Sequence, residues 1–237
     1  MAESMQTQSA VVIPAYNEAA TIQAVVRSVI ERHTEAVIVV DDASSDETGV
    51  YAAAAGAIVL SLCSRSGPWV AIQTGLKYAF ESGFSTVITM DADGQHLADM
   101  IGRLHVAASD SNANIVIGAS LVRGSALRKV GWRVIKTFSG FSLEDVTSGF
   151  RLYDSKALRL LSGERASYFE HQDIGVLALA LENQLIVVEV NVTMQSRESG
   201  PSRIFYSWYG VTLYMLRTLL LSIAKRSRNG GPEGRVK

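Results

Sequence analysis

The chain has 237 residues, a formal net charge of −1 and 48% hydrophobic residues. This length can supply the core of one large domain, and the near-neutral charge argues against a dedicated nucleic-acid binder. Cys63 is the only cysteine, which excludes an internal disulfide or a cysteine-based zinc site and fits a reducing cytosol. The polar start, MAESMQTQSA, is unlike a signal peptide, so we expect a cytoplasmic protein.

Apolar, β-branched runs alternate with helical patterns along most of the chain. Residues 11–13 predict the first strand, and the apolar spacing from Ile22 to Ile30 predicts a helix with Asn17 as a candidate cap. A second apolar helical face runs from Trp69 to Ala79. This alternation is typical of an α/β fold with a mostly parallel sheet and helices on both faces. The other predicted strands are 36–40, 57–60, 86–90, 115–117 and 185–190.

Polar segments follow three of the predicted strands: PAYNE at 14–18, DDAS at 41–44 and DADGQ at 91–95. Open parallel sheets bind ligands beyond the carboxyl ends of their strands, so the three segments predict one site. The chain has no G-x-G-x-x-G after the first strand and no G-x-x-x-x-G-K-[ST], which excludes the usual dinucleotide and P-loop phosphate cradles. The polar, glycine-containing segment 141–155 is predicted to be a functional loop between helical stretches.

The D-x-D pattern in DADGQ is the sharpest of these signals. Asp91 and Asp93 can aim carboxylate oxygens at one divalent cation, and Mg²⁺ favours a few hard oxygen ligands completed by substrate phosphates. Such a metal would neutralise charge on a departing nucleoside diphosphate. The alternative is a turn in which an aspartate caps the next helix. The neighbouring acids Asp41 and Asp42 favour the metal site.

The segment VVDDASSDETG places two further carboxylates at the end of a predicted strand. We expect Asp42 to accept hydrogen bonds from a ribose or a base edge, because it lies one strand away from the predicted metal–diphosphate site. Asp41 is expected to stabilise the turn or the start of the following helix. The simpler alternative is a strand end followed by a helix that is capped by Ser44 or Ser45.

The C-terminal segment 204–237 differs in character from the rest of the chain. Its longest uncharged stretch, 204–216, has 13 residues, whereas a membrane-spanning helix needs about 20. Aromatic and apolar residues approximate one helical face, and the basic residues Lys225, Arg226 and Arg228 follow. We therefore expect an amphipathic helical tail in the interface of an anionic membrane. The alternative is a helix packed on the preceding domain or on a second subunit, as in a homo-oligomer.

Five motifs together resemble a known family: VVIPAYNE, VVDDASSDET, AIQTGLKYA, ITMDADGQH and DVTSGFR. Their order and spacing are similar to those of the family 2 inverting glycosyltransferases, which have the Rossmann-like GT-A fold. Within the family, the chain resembles the polyprenyl-phosphate sugar transferases, such as dolichol-phosphate mannose synthase. The resemblance covers residues 9–205 and implies a GT-A catalytic domain over 1–203, followed by the tail.

The resemblance assigns roles to individual residues. The nucleotide is expected to lie against Pro14, Ala15, Tyr16, Glu18 and Asp42. Mg²⁺ or Mn²⁺ and the sugar diphosphate are expected to bind Asp91, Asp93 and Gln95. DVTSGFR supplies Asp145, Ser148 and Arg151 beside the acceptor, and the late segment RESGPSR supplies Arg197 and Arg203 for phosphate oxygens. The residues with catalytic roles are then Asp93, Asp145, Asp173 and Arg151.

The resemblance leaves the acceptor and the activity open. Glu170 and Asp173 are candidate general bases; a hydroxyl acceptor needs one, whereas a phosphate acceptor is already an anionic nucleophile. An arginine expected after the fifth strand is replaced by Ser120, with Arg123 or Arg128 as candidate substitutes, and bulky Trp69 stands in the turn before AIQTGL.

Three functions follow from these observations. The favoured one is transfer of a sugar from a nucleoside-diphosphate sugar to a polyprenyl phosphate at the cytoplasmic membrane face. The second is transfer to a hydroxyl, and the third is a catalytically silent subunit that binds a nucleotide sugar.

The four histidines, His33, His96, His105 and His171, are scattered without ligand spacing and are expected at the surface or at helix ends.

Overall fold

The computed structural model describes residues 8–33, 35–119, 148–168 and 174–195. Strands and helices alternate through these ranges, as the sequence predicts. The strands are β1 (Ser9–Ala15), β2 (Ala36–Asp41), β3 (Ile58–Ser61), β4 (Thr86–Thr89), β5 (Ile115–Ala119), β6 (Arg151–Tyr153) and β7 (Val187–Asn191). The α-helices are α1 (Ile22–Arg32), α2 (Thr48–Ala54), α3 (Pro68–Glu81), α4 (Ile101–Ser111), α5 (Ser155–Leu161) and α6 (Ile174–Glu182).

The strands form one sheet in the order β3-β2-β1-β4-β6-β5-β7. β1 pairs in parallel with β2 and β4, β2 with β3, and β5 with β7. Among the strands of the described ranges, β6 alone runs antiparallel, between β4 and β5. The predicted mostly parallel sheet is therefore confirmed.

Strand β6 corrects the prediction that all of segment 141–155 is a loop. Its three residues, Arg-Leu-Tyr, begin with a charged side chain and contain no β-branched residue, so Tyr153 alone gives a weak strand signal. Pairing with both neighbours makes them a strand: Arg151 lies opposite Thr89 of β4 and Ile117 of β5. Tertiary pairing here overrides local propensity.

Two apolar layers cover the sheet, one on each face. Alternate residues of β1 point to opposite sides, so Val12 packs in the layer that contains α3, α5 and α6, and Val11 packs in the layer of α1 and α4. Helix α3 lies so close to the sheet that a Cβ at Gly75 would overlap the side chain of Val12. Trp69 is 1% exposed in this layer and donates its indole N–H to the Ala166 carbonyl at 2.8 Å. Trp69, which the sequence places in a turn, is thus a core residue at the start of α3.

The predicted helix caps are wrong. Helix α1 begins at Ile22 without a side-chain cap, and Asn17 adopts a left-handed conformation (φ 53°) five residues earlier. Neither Ser44 nor Ser45 caps α2; instead Asp46 Oδ1 accepts the Thr48 N–H at 3.1 Å. The polar groups near both helix starts are used to join two loops, as described below.

The topology brings four chain segments to one place. The parallel strands β1, β2 and β4 end at the same edge of the sheet, which we call the carboxyl edge. Because β6 is antiparallel, its first residue lies at this edge too, next to the last residue of β4. None of the helices within the described ranges is both long enough and apolar enough to span a bilayer.

Candidate active site

The loops that follow β1 and β2 are joined by hydrogen bonds. The Asn17 N–H donates to Ser44 Oγ at 2.9 Å, and the Ser45 N–H donates to Asn17 Oδ1 at 2.8 Å. The Glu18 N–H donates to Thr48 Oγ1 at 2.8 Å. The predicted nucleotide-binding residues of PAYNE and DDAS are thus brought together at the carboxyl edge as one unit, with Pro14, Tyr16 and Glu18 half-buried and Ala15 buried.

Asp46 strengthens this junction electrostatically. Its carboxylate accepts hydrogen bonds from the Ala19 N–H at 3.3 Å and from both the hydroxyl and the N–H of Thr48. Partial burial raises the pKa of the Asp46 carboxyl, but these hydrogen bonds outweigh it and hold the pKa below the usual value. The ionised form of Asp46 therefore favours the joined loops.

Tyr16 has a neighbour that the sequence did not indicate. The guanidinium of Arg65, in the loop between β3 and α3, lies 4.3 Å from the centroid of the Tyr16 ring. This is cation–π geometry, worth about 0.5–1 kcal/mol at an exposed site. The pair places a positive charge beside the predicted nucleotide site.

Asp42 is 4% exposed and holds the loop before α3. Its two carboxylate oxygens accept the N–H of Ser66 at 2.6 Å and of Gly67 at 2.9 Å. Gly67 has φ 94°, which a glycine adopts without strain. A carboxylate has about four lone-pair sites, so two backbone contacts leave acceptor capacity for a ligand. Asp41 behaves as expected and stabilises its turn by accepting the Ser44 N–H at 3.0 Å.

The DADGQ segment leaves the sheet directly after β4. The Gln95 N–H donates to Asp93 Oδ1 at 3.1 Å, and Gly94 (φ 76°) allows this tight turn. The Asp91 side chain is 42% exposed, Asp93 is half-buried and Gln95 is buried. No group of three or more His, Cys, Asp or Glu side chains in the described ranges is arranged to hold a metal ion. Two carboxylates and one amide instead suit an ion whose other ligands come from a substrate diphosphate.

The Asp91 carboxylate is packed against Gly149, which precedes β6. A Cβ at Gly149 would overlap Asp91 Oδ1 and lie 3.1 Å from Oδ2. The Gly149 carbonyl accepts the Thr89 hydroxyl at 2.7 Å, which fixes the glycine to the end of β4. Only a residue without a side chain leaves room for the carboxylate here. The sequence signal for this contact is weak, since it is one glycine within TSGF.

His96 was predicted to lie at the surface or at a helix end, and this is wrong. It is 3% exposed, and its ring stacks on Phe150 with centroids 5.1 Å apart. Its Nδ1 accepts the Asp91 N–H at 3.0 Å. The available signal was its position directly after DADGQ, where a short turn folds it back beneath the aspartates. His33, at the end of α1, agrees with the prediction, and His171 lies outside the described residues.

Arg151 lies inside the protein. It is fully buried, and its Nε donates to the Ser148 carbonyl at 2.9 Å. Burial raises the pKa of the Tyr153 phenol, and the charge of Arg151 together with hydrogen bonds that the phenol forms with Arg151 and Thr89 partly offsets this effect. Ser148 donates its hydroxyl to the Gly118 carbonyl at 2.5 Å. The structure thus ties the start of β6 to both neighbouring strands, and the acceptor contact of Arg151 stays a prediction.

The segment after β7 reaches the same place. Met194 forms a single antiparallel bridge with His96, and the Gln195 N–H donates to the Gln95 carbonyl at 2.9 Å. Several predicted residues and segments lie outside the described ranges, and their roles stay predictions: Ser120, Arg123, Arg128, Asp145, Glu170, Asp173, Arg197, Arg203 and the tail 204–237.

Comparisons with known proteins identify the family of the chain. The family model Glycosyl transferase family 2 matches residues 10–161. The polyprenol monophosphomannose synthase of Mycolicibacterium smegmatis is 31% identical over 212 residues, covering 81% of this chain and 79% of that protein. The undecaprenyl-phosphate mannosyltransferase of Micrococcus luteus is 29% identical over 211 residues, covering 81% and 85%. A UDP-N-acetylglucosamine–dolichyl-phosphate N-acetylglucosaminyltransferase of Methanococcus voltae is 28% identical over 242 residues, covering 90% and 96%.

Solved structures show the same fold. Glucosyl-3-phosphoglycerate synthase from Mycobacterium tuberculosis, in complex with phosphoglyceric acid, has a TM-score of 0.69 at 21% identity and covers 96% of this chain and 82% of its own. Its complex with Mn²⁺, UDP-glucose and phosphoglyceric acid has a TM-score of 0.68 at 20% identity, with the same coverage. The predicted GT-A fold is thereby confirmed. The chain belongs to glycosyl transferase family 2 and is a glycosyltransferase.

Proposed function

We propose that this glycosyltransferase moves a sugar from a nucleoside-diphosphate sugar to a polyprenyl phosphate. The observation that carries the proposal is the shared acceptor class of three relatives, which are named for a polyprenol monophosphate, undecaprenyl phosphate and dolichyl phosphate. The sugars in these names differ, since two are mannose and one is N-acetylglucosamine. The acceptor therefore carries over to this chain, whereas the sugar has to be determined.

The donor nucleotide is assigned to the joined loops after β1 and β2. Pro14 and Ala15 end β1, Tyr16 and Glu18 follow in its loop, and the Asp42 N–H at the end of β2 donates to the Ala15 carbonyl at 2.9 Å. The hydrogen bonds between the loops preorganise the surface before the nucleotide arrives. The guanidinium of Arg65 over Tyr16 adds positive charge that favours a diphosphate.

Asp91, Asp93 and Gln95 are assigned to Mg²⁺ or Mn²⁺ and the sugar diphosphate. Their oxygens are hard ligands, and the exposed Asp91 carboxylate is open to a ligand that approaches the carboxyl edge. Solved structures with the same fold contain Mn²⁺ with UDP-glucose and Mg²⁺ with UDP. When bound, the ion would neutralise the charge that develops on the leaving diphosphate.

The acceptor phosphate is assigned to the opposite side of the sugar. An oxygen of the lipid phosphate attacks the anomeric carbon as the bond from that carbon to the diphosphate breaks, which inverts the configuration. Asp145, Arg197 and Arg203 are proposed beside the acceptor, where the two guanidinium groups can bind phosphate oxygens in pairs. The fully buried Arg151 is proposed to act on the same side through its positive charge. Arg197 follows Gln195 by two residues, a reach of about 7 Å at most, and the Gln195 N–H contacts the Gln95 carbonyl. Asp173 is needed as a base only if the acceptor is a hydroxyl.

The enzyme is further proposed to work at the inner face of the membrane, in contact with its lipid phosphate acceptor. The sequence of the tail 204–237 supports this through its aromatic stretch and the basic residues after it. Flotation with vesicles of phosphatidylglycerol and phosphatidylcholine tests the attachment. The full chain should float with the anionic vesicles, and a chain that ends after Arg203 should not. If the full chain remains at the bottom of the gradient, the tail does not attach the enzyme to membranes.

A donor panel tests the proposed activity. The purified chain is incubated with Mn²⁺, undecaprenyl phosphate and one of several GDP- or UDP-sugars, and the lipid fraction is analysed by mass spectrometry. One donor should yield a lipid whose mass increases by one sugar residue, and a chelator should abolish the product. Binding of a nucleotide sugar without any product from the panel would instead indicate a silent subunit.

A further inference from the structure

We propose that His96 is a positioning residue that orients the Asp91 carboxylate toward the metal ion and the diphosphate. The inference rests on the proposed function, because it concerns the same metal site. It starts from three contacts between the two residues and their neighbours. His96 Nδ1 accepts the Asp91 N–H at 3.0 Å, His96 Nε2 lies 3.6 Å from Asp91 Oδ2, and the ring stacks on Phe150.

The first contact determines the tautomer of the ring. A nitrogen that accepts a hydrogen bond from a backbone N–H carries a lone pair, so the proton of the neutral imidazole is on Nε2. Nε2 is buried and has no hydrogen-bond partner among the described residues. The nearest acidic oxygen is Asp91 Oδ2, just beyond hydrogen-bonding distance. The Nε2–H therefore lies close to the Asp91 carboxylate without forming a hydrogen bond to it, and electrostatic attraction between the two favours one orientation of the carboxylate.

The ring is held so that this direction is fixed. The His96 side chain is fully buried, the Phe150 ring lies parallel to it within 21°, and its backbone is bridged to Met194. The Asp91 carboxylate is confined from two sides, because Oδ1 lies against Gly149 and Oδ2 faces His96. The remaining side is open to solvent, as the 42% exposure of the Asp91 side chain shows. A ligand at the carboxyl edge thus meets a carboxylate of defined orientation.

Groups that orient metal ligands in this way contribute to affinity without touching the ion. Two substitutions of His96 separate the roles of its nitrogens. His96→Gln places an amide N–H near the position of Nε2 and removes the Nδ1 acceptor. His96→Asn retains an acceptor near Nδ1 and removes the Nε2 donor. His105→Gln on α4 is the control for the substitution itself, because His105 Nε2 also lies near a carboxylate, 3.4 Å from Glu35 Oε1, but Glu35 precedes β2 and is far from the carboxyl edge.

The test measures binding of Mn²⁺ to the purified full-length chain by electron paramagnetic resonance, with UDP or GDP present. Binding of the nucleotide without metal and the thermal melting temperature are recorded for each variant. We expect His96→Asn to bind Mn²⁺ about 10–100-fold more weakly, the usual effect of losing such a contact. His96→Gln and His105→Gln should stay close to the wild-type affinity, and binding of the nucleotide without metal should be unchanged in all.

Two results would overturn the inference. If His96→Asn binds Mn²⁺ as tightly as the wild-type chain, the Nε2 donor does not orient Asp91. If His96→Gln is the weaker variant, His96 acts only through the turn that its Nδ1 stabilises. A wild-type chain that binds no Mn²⁺ with either nucleotide would instead refute the metal site of the proposed function.

Discussion

Replacing Gly149 by alanine should damage the metal site and leave the fold intact. The added Cβ would overlap Asp91 Oδ1 and lie 3.0 Å from Asp91 Cγ. Carbon atoms in good contact are about 3.5–4.0 Å apart, so the carboxylate must move by roughly 0.5–1 Å. The backbone of Gly149 is not in the left-handed region, so alanine can adopt its backbone conformation without strain.

The expected magnitudes separate stability from activity. Because the Asp91 side chain is 42% exposed, its carboxylate can rotate away at the cost of an off-rotamer torsion, about 0.5–1.5 kcal/mol. A displacement of about 1 Å at a reacting centre can reduce the rate by about 10²-fold. Gly149→Ala should therefore melt close to the wild-type temperature and lose about two orders of magnitude in kcat/KM, together with affinity for Mn²⁺.

Gly102→Ala is the matched control. Gly102 is in α4, and a Cβ there has no neighbour within 4 Å, so this variant should retain both stability and Mn²⁺ affinity. The assay compares thermal melting, Mn²⁺ binding in the presence of UDP or GDP, and the initial rate of sugar transfer for the three proteins. The reasoning would be refuted by a Gly149→Ala enzyme with wild-type affinity for Mn²⁺ and wild-type turnover.

Four further predictions concern the site and its support. Asp93→Asn should reduce turnover by about 10²–10³-fold with an unchanged melting temperature, and full activity of this variant, or of the wild-type enzyme in excess chelator, would exclude the metal site. Asp42→Ala should raise the KM for the donor more than it lowers kcat, and a normal KM would remove Asp42 from the donor site. The same variant should lower the free energy of unfolding in urea by about 1–3 kcal/mol, because two backbone N–H groups lose their acceptor. Asp46→Asn should be less stable than the wild type at neutral pH. The folded-state pKa of Asp46 is lowered, so its contribution to the free energy of unfolding is present above the usual pKa of 3.8 and is lost as pH falls through the folded-state pKa. Urea melts of the two proteins should therefore converge in acid, and a difference that stays constant with pH would contradict this. Gly75→Ala should lower the melting temperature with little change in donor KM, since its Cβ would overlap Val12 in the core, and an unaltered melt would show that α3 can shift.

The sequence predicts the parts of this fold that carry a local signal. Runs such as 11–13 and 36–40 are apolar and β-branched, and they pair as parallel strands. The acids at Asp42 and Asp91 follow such runs, so their common position at the carboxyl edge follows from the topology of parallel sheets. The general location of the site could therefore be predicted without a structure.

The contacts that shape the site could not be predicted in this way. Strand β6 has only a weak propensity signal, from Tyr153, and its antiparallel insertion beside β4 is what brings Gly149 to Asp91. His96 is polar and follows a turn, which favours the surface, yet stacking on Phe150 and the bridge to Met194 bury it. These contacts join residues that are more than 50 positions apart in the chain, such as Gly149 with Asp91 and His96 with Phe150. Local sequence patterns do not predict contacts of this kind.

The most direct test of the central claim compares two lipids of equal chain length, undecaprenyl phosphate and undecaprenol. The enzyme is given its preferred donor and Mn²⁺, and the glycosylated lipid is quantified by mass spectrometry. The account predicts product from the phosphate alone, because the lipid phosphate oxygen is the nucleophile. Equal transfer to undecaprenol, or transfer only to a water-soluble hydroxyl acceptor, would contradict it.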